Sequence, residues 1–152
     1  MVKCYLRLSQ IAKTADRKAH FIKRSEDEKN AFISITSALG LNPDSLKVSK
    51  EPSYGCGGAM GPAQFIPTTW LGYQAEVARI TGHNPVNPWN FQDAFTASAI
   101  KLARGGATSK ERVGEIRASK AYISGRSDCA TVTCNNYANM IQQKAAVIQQ
   151  NL

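Results

Sequence analysis

The sequence lacks features that define several common classes of protein. It has no apolar run long enough to span a membrane, and its start, Met1-Val2-Lys3-Cys4, lacks the apolar core of a secretory signal. Its cysteines and histidines do not have the spacing of a zinc site, and it contains no Gly-rich phosphate loop. We therefore expect no membrane span, no metal site and no cofactor.

Histidine is also scarce. Only His20 and His83 occur, and both are isolated in the sequence. Neither is placed to form a catalytic triad, and Ser53 has no histidine partner that the sequence reveals. This argues against a hydrolase that uses a serine nucleophile.

The residues that are present are typical of one helical domain. Of 152 residues, 43% are apolar and 20% are charged, which is enough to bury one core. Apolar residues recur at helical intervals, and no segment convincingly predicts a strand. We therefore predict a mainly α fold and a single domain over residues 1–152.

Local signals predict where the first helices begin and end. Ser25 and Glu28 have the spacing of a capping box, which predicts a helix that starts there and stops at Gly40. A short helical segment is expected over residues 62–66. Proline suits the first turn of a helix, so a longer helix is expected to begin at Pro67.

The second half of the chain has similar signals. Asn90 is expected to cap a helix with Asp93 in its first turn, ending at the glycines at 105 and 106. Thr108 and Glu111 form a second capping-box pair and predict a helix that reaches residue 124. A last amphipathic helix is expected after residue 134.

The chain is basic. Nineteen Lys and Arg against eleven Asp and Glu give a formal charge of +8, which favours nucleic acid, anionic membrane or peptidoglycan as partner. The basic residues are denser over 13–24 and 101–120, where we interpret them as solvated helix faces. Because no DNA-binding or RNA-binding motif accompanies them, we expect no nucleic-acid partner. We also expect a monomer.

Four cysteines, Cys4, Cys56, Cys129 and Cys134, predict two disulfides. Cys129 and Cys134 can close a short loop, and the sequence alone does not fix the pairing. Disulfides indicate the periplasm, the cell envelope or the extracellular space, whereas four reduced thiols would suit the cytosol. Since the start has no signal peptide, an envelope protein of this sequence is expected to be a piece of a longer precursor or to be released in another way.

A Gly-rich segment is the strongest candidate for a binding site. Residues 41–61 are rich in Asn, Pro, Ser and Gly, which predicts a long loop. Met60, Gln64 and Phe65 offer apolar and amide contacts at its end. Because a pyranose ring has an apolar face and a rim of hydroxyl groups, this mixture is typical of a sugar-binding groove.

Three segments resemble one family of enzymes. Residues 58–70, Gly-Ala-Met-Gly-Pro-Ala-Gln-Phe-Ile-Pro-Thr-Thr-Trp, resemble a segment of the membrane-bound lytic murein transglycosylase B family. Residues 87–95, Asn-Pro-Trp-Asn-Phe-Gln-Asp-Ala-Phe, resemble the family's next segment. Residues 117–125, Arg-Ala-Ser-Lys-Ala-Tyr-Ile-Ser-Gly, resemble its later Tyr-containing motif. The matches follow the family's order.

This resemblance implies a lysozyme-like helical fold that cleaves the β-1,4 bond between N-acetylmuramic acid and N-acetylglucosamine in peptidoglycan. In the family, one glutamic acid protonates the glycosidic oxygen and then accepts the proton of the muramoyl C6 hydroxyl group, which closes a 1,6-anhydro ring. One carboxyl group serves both steps because the nucleophile belongs to the substrate.

The resemblance also implies roles for five residues. Gln64 would bind the sugar, and Met60 and Phe65 would shape its subsite. Ser53 and Tyr122 would lie near the catalytic carboxyl group. From the residues alone, Met60 and Phe65 could equally belong to the core, and Tyr122 could pack with its hydroxyl group satisfied.

The family's catalytic glutamate lies upstream of the Gly-rich segment, in a Glu-Ser-like motif that this sequence does not contain. Lys3-Cys4-Tyr5-Leu6 resembles the family's residues directly after that motif, so the chain is expected to begin just after it. Glu51 is the only acid that adjoins the Gly-rich loop, which makes it the candidate catalytic acid, although it could be a plain surface residue. Other acids are interpreted as structural: Glu26, Glu28, Glu76, Asp93 and Glu111.

Four functions are compatible with these patterns. The first is a lytic transglycosylase, and the second is a non-catalytic peptidoglycan-binding module that has lost its acid. The third is a basic nucleic-acid-binding protein, and the fourth is a lysozyme-like hydrolase. Anhydromuramoyl ends identify the first, binding without cleavage the second, salt-sensitive binding to nucleic acid the third, and new reducing ends the fourth.

Overall fold

The computed structural model describes residues 1–51 and 56–151 and is mainly helical, which confirms the prediction of a mainly α protein. Short 3-10 turns occur at Pro43–Ser45 and Ala107–Ser109. Among the residues described, no helix is both long and apolar enough to cross a bilayer. The helices are α1 (Val2–Gln10), α2 (Ala15–Ala38), α3 (Pro67–Leu71), α4 (Gln74–Thr81), α5 (Phe91–Arg104), α6 (Arg112–Ser124) and α7 (Val132–Gln150).

The chain forms two compact units, Met1–Ala97 and Ser98–Leu152. The largest buried side chains of the first unit come from α2, α3, α4 and the Gly-rich segment, and include Ile35, Trp70 and Val77. In the second unit, α6 and α7 pack together and bury mostly small residues. The expectation of a single domain over 1–152 stays a prediction.

Helix α2 begins well before Ser25, so the predicted capping box is wrong. Its cap is Thr14, whose hydroxyl oxygen accepts a hydrogen bond from the Arg17 N–H at 3.3 Å. Ser25 and Glu28 lie inside the helix and are buried. Thr14 and the acidic residue of the first turn, Asp16, stabilise the unpaired N–H groups at the start of the helix. This is the role that was predicted for Ser25 and Glu28. The predicted stop at Gly40 is confirmed by its φ of +64°.

The helix predicted from Pro67 begins there, but it is not continuous. Helix α3 ends at Leu71, and α4 starts at Gln74. The segment expected to be helical over 62–66 is a tight turn instead, because Met60 and Phe65 pair as an isolated β-bridge.

The helix signals after residue 89 are confirmed in part. Asn90 accepts a hydrogen bond from the Asp93 N–H at 3.1 Å, as expected of the cap of α5. The pair Thr108 and Glu111 does not form a capping box, because Thr108 lies in a 3-10 turn. Helix α6 instead starts at Arg112.

Both predicted disulfides are present. Cys4 pairs with Cys56, which links α1 to the Gly-rich segment, and Cys129 pairs with Cys134 around the start of α7. The described residues contain no free cysteine. Two disulfides are compatible with an oxidising compartment.

Candidate functional site

The Gly-rich segment folds back on the chain that precedes it. The Ser49 N–H donates to the Ala59 carbonyl at 2.8 Å, and the Gly58 N–H donates to the Ser49 carbonyl at 2.9 Å. At its far end, the Met60 N–H donates to the Phe65 carbonyl at 2.9 Å. We call residues 56–66 the glycine loop. It is held at both ends by backbone hydrogen bonds.

Two glycines allow this loop to approach other backbone segments closely. Gly57 and Gly61 have φ values of +65° and +59°. A Cβ atom at Gly61 would lie 1.8 Å from the Pro88 carbonyl oxygen, and one at Gly57 would lie 2.6 Å from that of Lys50. Since real Cβ atoms do not approach so closely, any other residue would displace the loop. The loop is therefore fixed against the segment that precedes α5.

Met60 and Phe65 support the loop from inside. Met60 is fully buried, and Phe65 is 3% exposed. The ring of Phe65 contacts those of Trp70 and Tyr73 at centroid distances of 5.8 and 5.4 Å in edge-to-face geometry. These two predicted site residues thus face the core, so they would shape a subsite by holding the loop rather than by contacting a sugar directly.

Gln64 is a predicted site residue whose side chain faces solvent. It is exposed and has a φ of +57°, which is rare for a residue with a side chain. Its Nε2 donates to the Gly61 carbonyl at 2.7 Å. Because a carbonyl oxygen can only accept, this bond fixes which end of the amide faces the loop. The Oε1 atom is left as an acceptor at the surface.

Glu51 has the surroundings of a surface residue. Its side chain is 42% exposed and forms an ion pair with Arg7. A general acid is usually found in an apolar pocket, and this carboxyl group has no such surroundings. Its role as a catalytic acid stays a prediction. Ser53 lies outside the described residues.

Tyr122 belongs to the second unit, where its polar groups are engaged. Its hydroxyl group lies 2.8 Å from Ser98 Oγ, and its carbonyl accepts from Lys101 Nζ at 2.9 Å. The same ammonium group lies 4.5 Å from the centre of the Tyr122 ring. These contacts fix the orientation of the ring on α6.

Burial lowers the pKa of Lys101 below its usual value of 10.5. Between the lowered value and 10.5, the unfolded chain therefore binds more protons than the folded chain. We expect the free energy of unfolding of the wild type to rise relative to that of Lys101→Met as the pH increases through this window. Urea unfolding of both proteins on either side of the window tests this, and a difference independent of pH would contradict it.

The glycine loop, its buried support and Gln64 form the candidate site of the first unit. In comparisons with protein-family models, curated proteins and solved structures, nothing matches this chain. Within residues 1–51 and 56–151, no three His, Cys, Asp or Glu side chains are grouped so that they could hold a metal ion. The chemistry of the glycine loop and of Gln64 is therefore the indication of function that the described residues provide.

Sequence reasoning missed the importance of Glu28. Its side chain is fully buried and accepts hydrogen bonds from Thr68, at 3.0 Å from the backbone N–H and 2.6 Å from the hydroxyl group. Arg24 forms an ion pair with it at 2.7 Å. Since Thr68 lies in the first turn of α3, directly after the glycine loop, this carboxylate fixes where the loop ends.

The sequence indicated one of the two partners of Glu28. Arg24 precedes Glu28 by four residues, which is the spacing of an ion pair on one helix face. The other partner, Thr68, lies forty residues away in the sequence. Only the tertiary structure brings these groups together.

Proposed function

We propose that this chain binds the glycan strands of peptidoglycan at the glycine loop, as the substrate-binding part of a lytic transglycosylase with a lysozyme-like fold. The observation that carries this proposal is the conformation of Gln64, which is exposed and has a φ of +57°. This conformation costs a residue with a side chain about 1 kcal/mol or more, whereas glycine adopts it readily. A glutamine at this position therefore suits a site that uses its amide group.

The chemistry of the loop suits a sugar. The outward Oε1 of Gln64 can accept a hydrogen bond from a hydroxyl group or from the N–H of an acetamido group. Pro62 is exposed in the same turn and offers an apolar surface for one face of a pyranose ring. The buried rings beneath the loop keep these groups in place without a ligand, which lowers the entropy lost on binding.

The reaction that we propose follows from the resemblance of the three segments. A carboxyl group protonates the glycosidic oxygen, the C6 hydroxyl group of muramic acid attacks C1, and the resulting carboxylate accepts the hydroxyl proton. The products are a 1,6-anhydromuramoyl end and a free 4-hydroxyl group, and no water is consumed. We expect this activity in the cell envelope or outside the cell, where disulfides persist.

A non-catalytic peptidoglycan-binding module is the second candidate. The observation that favours it is that two carboxylates near the loop are engaged in other contacts. Glu28 is fully buried and bonded to Thr68, and Glu51 is ion-paired with Arg7. Neither arrangement resembles that of a proton donor that faces a substrate.

Product analysis distinguishes the two candidates. We would incubate the chain, Glu51→Gln and a mock preparation with purified peptidoglycan, and analyse the soluble products by mass spectrometry. Anhydromuropeptides that disappear in Glu51→Gln would identify Glu51 as the acid, and those that persist would point to another carboxylate. Sedimentation with the wall without new products would support the binding module. Failure to bind the wall would contradict the proposal.

The substitution Gln64→Gly distinguishes the effect of Gln64 on stability from its effect on glycan binding. We expect Gln64→Gly to unfold with a free energy equal to or up to about 1 kcal/mol higher than the wild type, because glycine relieves the backbone strain. Binding to peptide-free glycan should weaken about tenfold, which corresponds to one lost hydrogen bond. Urea unfolding and calorimetric titration measure the two effects.

Gln10→Ala is the matched control, because Gln10 is an exposed glutamine in the same unit and lies outside the glycine loop. Its glycan affinity should equal that of the wild type. If Gln64→Gly bound glycan as tightly as this control, Gln64 would have no part in the site.

A further inference from the structure

The second unit contains an open pocket of about 450 Å³ between the end of α5 and the start of α6. This volume is within the range of small-molecule sites. Its walls include Arg104, Arg117 and Glu111 together with Ser109 and Ser127. The pocket lies outside the glycine loop and plays no part in the function proposed above.

Tight backbone packing builds the pocket. A Cβ atom at Gly105 would lie 2.9 Å from the Ala118 Cα, and one at Gly114 would lie 2.1 Å from Ser109 Oγ. Gly106 and Lys110 have positive φ values of +108° and +58° in the connection between α5 and α6. The connection is therefore held in a defined shape, and the side chains that line the pocket project from fixed positions.

The pocket is lined by charged side chains of both signs. Two guanidinium groups and one carboxylate line the same space. Within residues 1–51 and 56–151, neither Arg117 nor Glu111 has a direct side-chain hydrogen bond or ion pair, although Arg117 helps at longer range to lower the pKa of Asp128. The neighbouring Asp128 is bound by Arg126 through two hydrogen bonds at 3.0 and 3.1 Å. Arg117 and Glu111 are both exposed, so neither has to break a direct ion pair to bind a ligand.

The surrounding charge favours an anionic ligand. Residues 98–152 contain eight Lys and Arg against three Asp and Glu, so this unit carries most of the chain's net positive charge. Guanidinium groups bind carboxylates with two parallel hydrogen bonds. Glu111 would in turn attract an ammonium group. The complementary ligand therefore has at least two carboxylates and one amino group.

We infer that this pocket binds the peptide stems of peptidoglycan. The groups that it recognises are the carboxylates of an acidic residue and of the diamino acid linked to it, together with the free amino group of the diamino acid. Arg104 and Arg117 bind the carboxylates, and Glu111 binds the ammonium group. The choice of this peptide among acidic zwitterions rests on the proposed function. The glycan and the peptide of the wall are then recognised by different residues.

The test uses the full chain and a free N-acetylated tripeptide of alanine, γ-linked glutamate and diaminopimelate. We expect saturable binding in calorimetric titration that weakens with added salt. Arg117→Gln should weaken it at least about tenfold, as expected for a lost charged hydrogen bond. Arg112→Gln is the matched control, because Arg112 is exposed on the same helix, does not line the pocket and undergoes the same change of charge.

Glu111→Gln tests the ammonium contact. It should weaken binding of the tripeptide but strengthen binding of glutarate, a dicarboxylate without an amino group. Equal effects on both ligands would overturn this contact. Inorganic phosphate that competes with the tripeptide at equal concentration would overturn the peptide assignment in favour of a general anion site.

Two further results would overturn the proposal. One is the absence of tripeptide binding to the folded wild type at millimolar concentration, and the other is equal binding by Arg117→Gln and Arg112→Gln. Peptide-free glycan, titrated in parallel, reports on the glycine loop alone. A wild type that binds glycan but not the tripeptide would therefore reject the pocket and leave the proposed function standing.

Discussion

Removing the Cys4–Cys56 disulfide is expected to lower the free energy of unfolding by about 4 kcal/mol. The bridge joins cysteines 52 residues apart, and both are buried. A long cross-link restricts the unfolded chain more than a short one, so its loss stabilises the unfolded state more. Urea unfolding of the double variant Cys4→Ser/Cys56→Ser measures the change.

The second disulfide is the control for this argument. Cys129 and Cys134 are five residues apart, and the same relation predicts a loss of only about 2 kcal/mol for Cys129→Ser/Cys134→Ser. Equal losses from the two double variants would show that chain entropy is not the main contribution of the longer bridge.

The longer bridge should also affect glycan binding. It anchors the first residue of the glycine loop to α1, and a Cβ atom at Gly58 would lie 2.7 Å from the Met1 side chain. Without the bridge, no covalent bond joins α1 to the loop, and the ion pair between Arg7 and Glu51 is left to connect α1 with the chain that precedes the loop. We therefore expect the Cys4→Ser/Cys56→Ser variant to bind glycan more weakly than the wild type, even without urea, where the variant is folded. The Cys129→Ser/Cys134→Ser variant should bind glycan as tightly as the wild type.

The parts of the fold that depend on local chemistry could be predicted. Gly40 ends α2, Pro67 begins α3, and Asn90 caps α5, because each signal acts within one turn of the backbone. The sequence also indicated that Cys129 and Cys134 can close a short loop, although it left the pairing of the four cysteines open. In each case the residues that decide the structure are neighbours in the sequence.

The predictions that failed had competing local solutions. Ser25 and Glu28 match a capping box, but Thr14 starts the helix first and leaves both inside it. Helix formation is cooperative, so the choice between two adequate caps depends on the stability of the whole helix and not on the residues next to each cap. Likewise, helical spacing over 67–81 does not reveal that the chain breaks between Leu71 and Gln74.

The sequence indicated which residues share the glycine loop, but it did not indicate which of their side chains face outward. Glycines and an amide in one segment indicated a sugar site, and they do form one loop. That Met60 and Phe65 face the core while Gln64 faces solvent depends on the hydrogen bond between Met60 and Phe65 and on the rings of Trp70 and Tyr73. An irregular loop has no fixed period, so the sequence could not assign its faces.

Replacing Glu28 by alanine is expected to lower the free energy of unfolding by about 3 kcal/mol, because a fully buried carboxylate loses two part-buried hydrogen bonds and an ion pair with the partly exposed Arg24. Thr68 would keep a backbone N–H and a hydroxyl group without their acceptor. Glu26→Ala is the matched control, since Glu26 is an exposed acid on the same helix, and its loss should change stability by less than about 0.5 kcal/mol.

The effect of Glu28 should also reach the glycine loop. Thr68 holds the start of α3, which comes directly after the loop, so Glu28→Gln should shift the backbone amide resonances of Gly61 and Gln64 and weaken glycan binding in the folded protein. Glu28→Gln retains one acceptor for Thr68 and should therefore lose less stability than Glu28→Ala. If both variants lost stability but bound glycan as tightly as the wild type, Glu28 would stabilise the helices without positioning the loop.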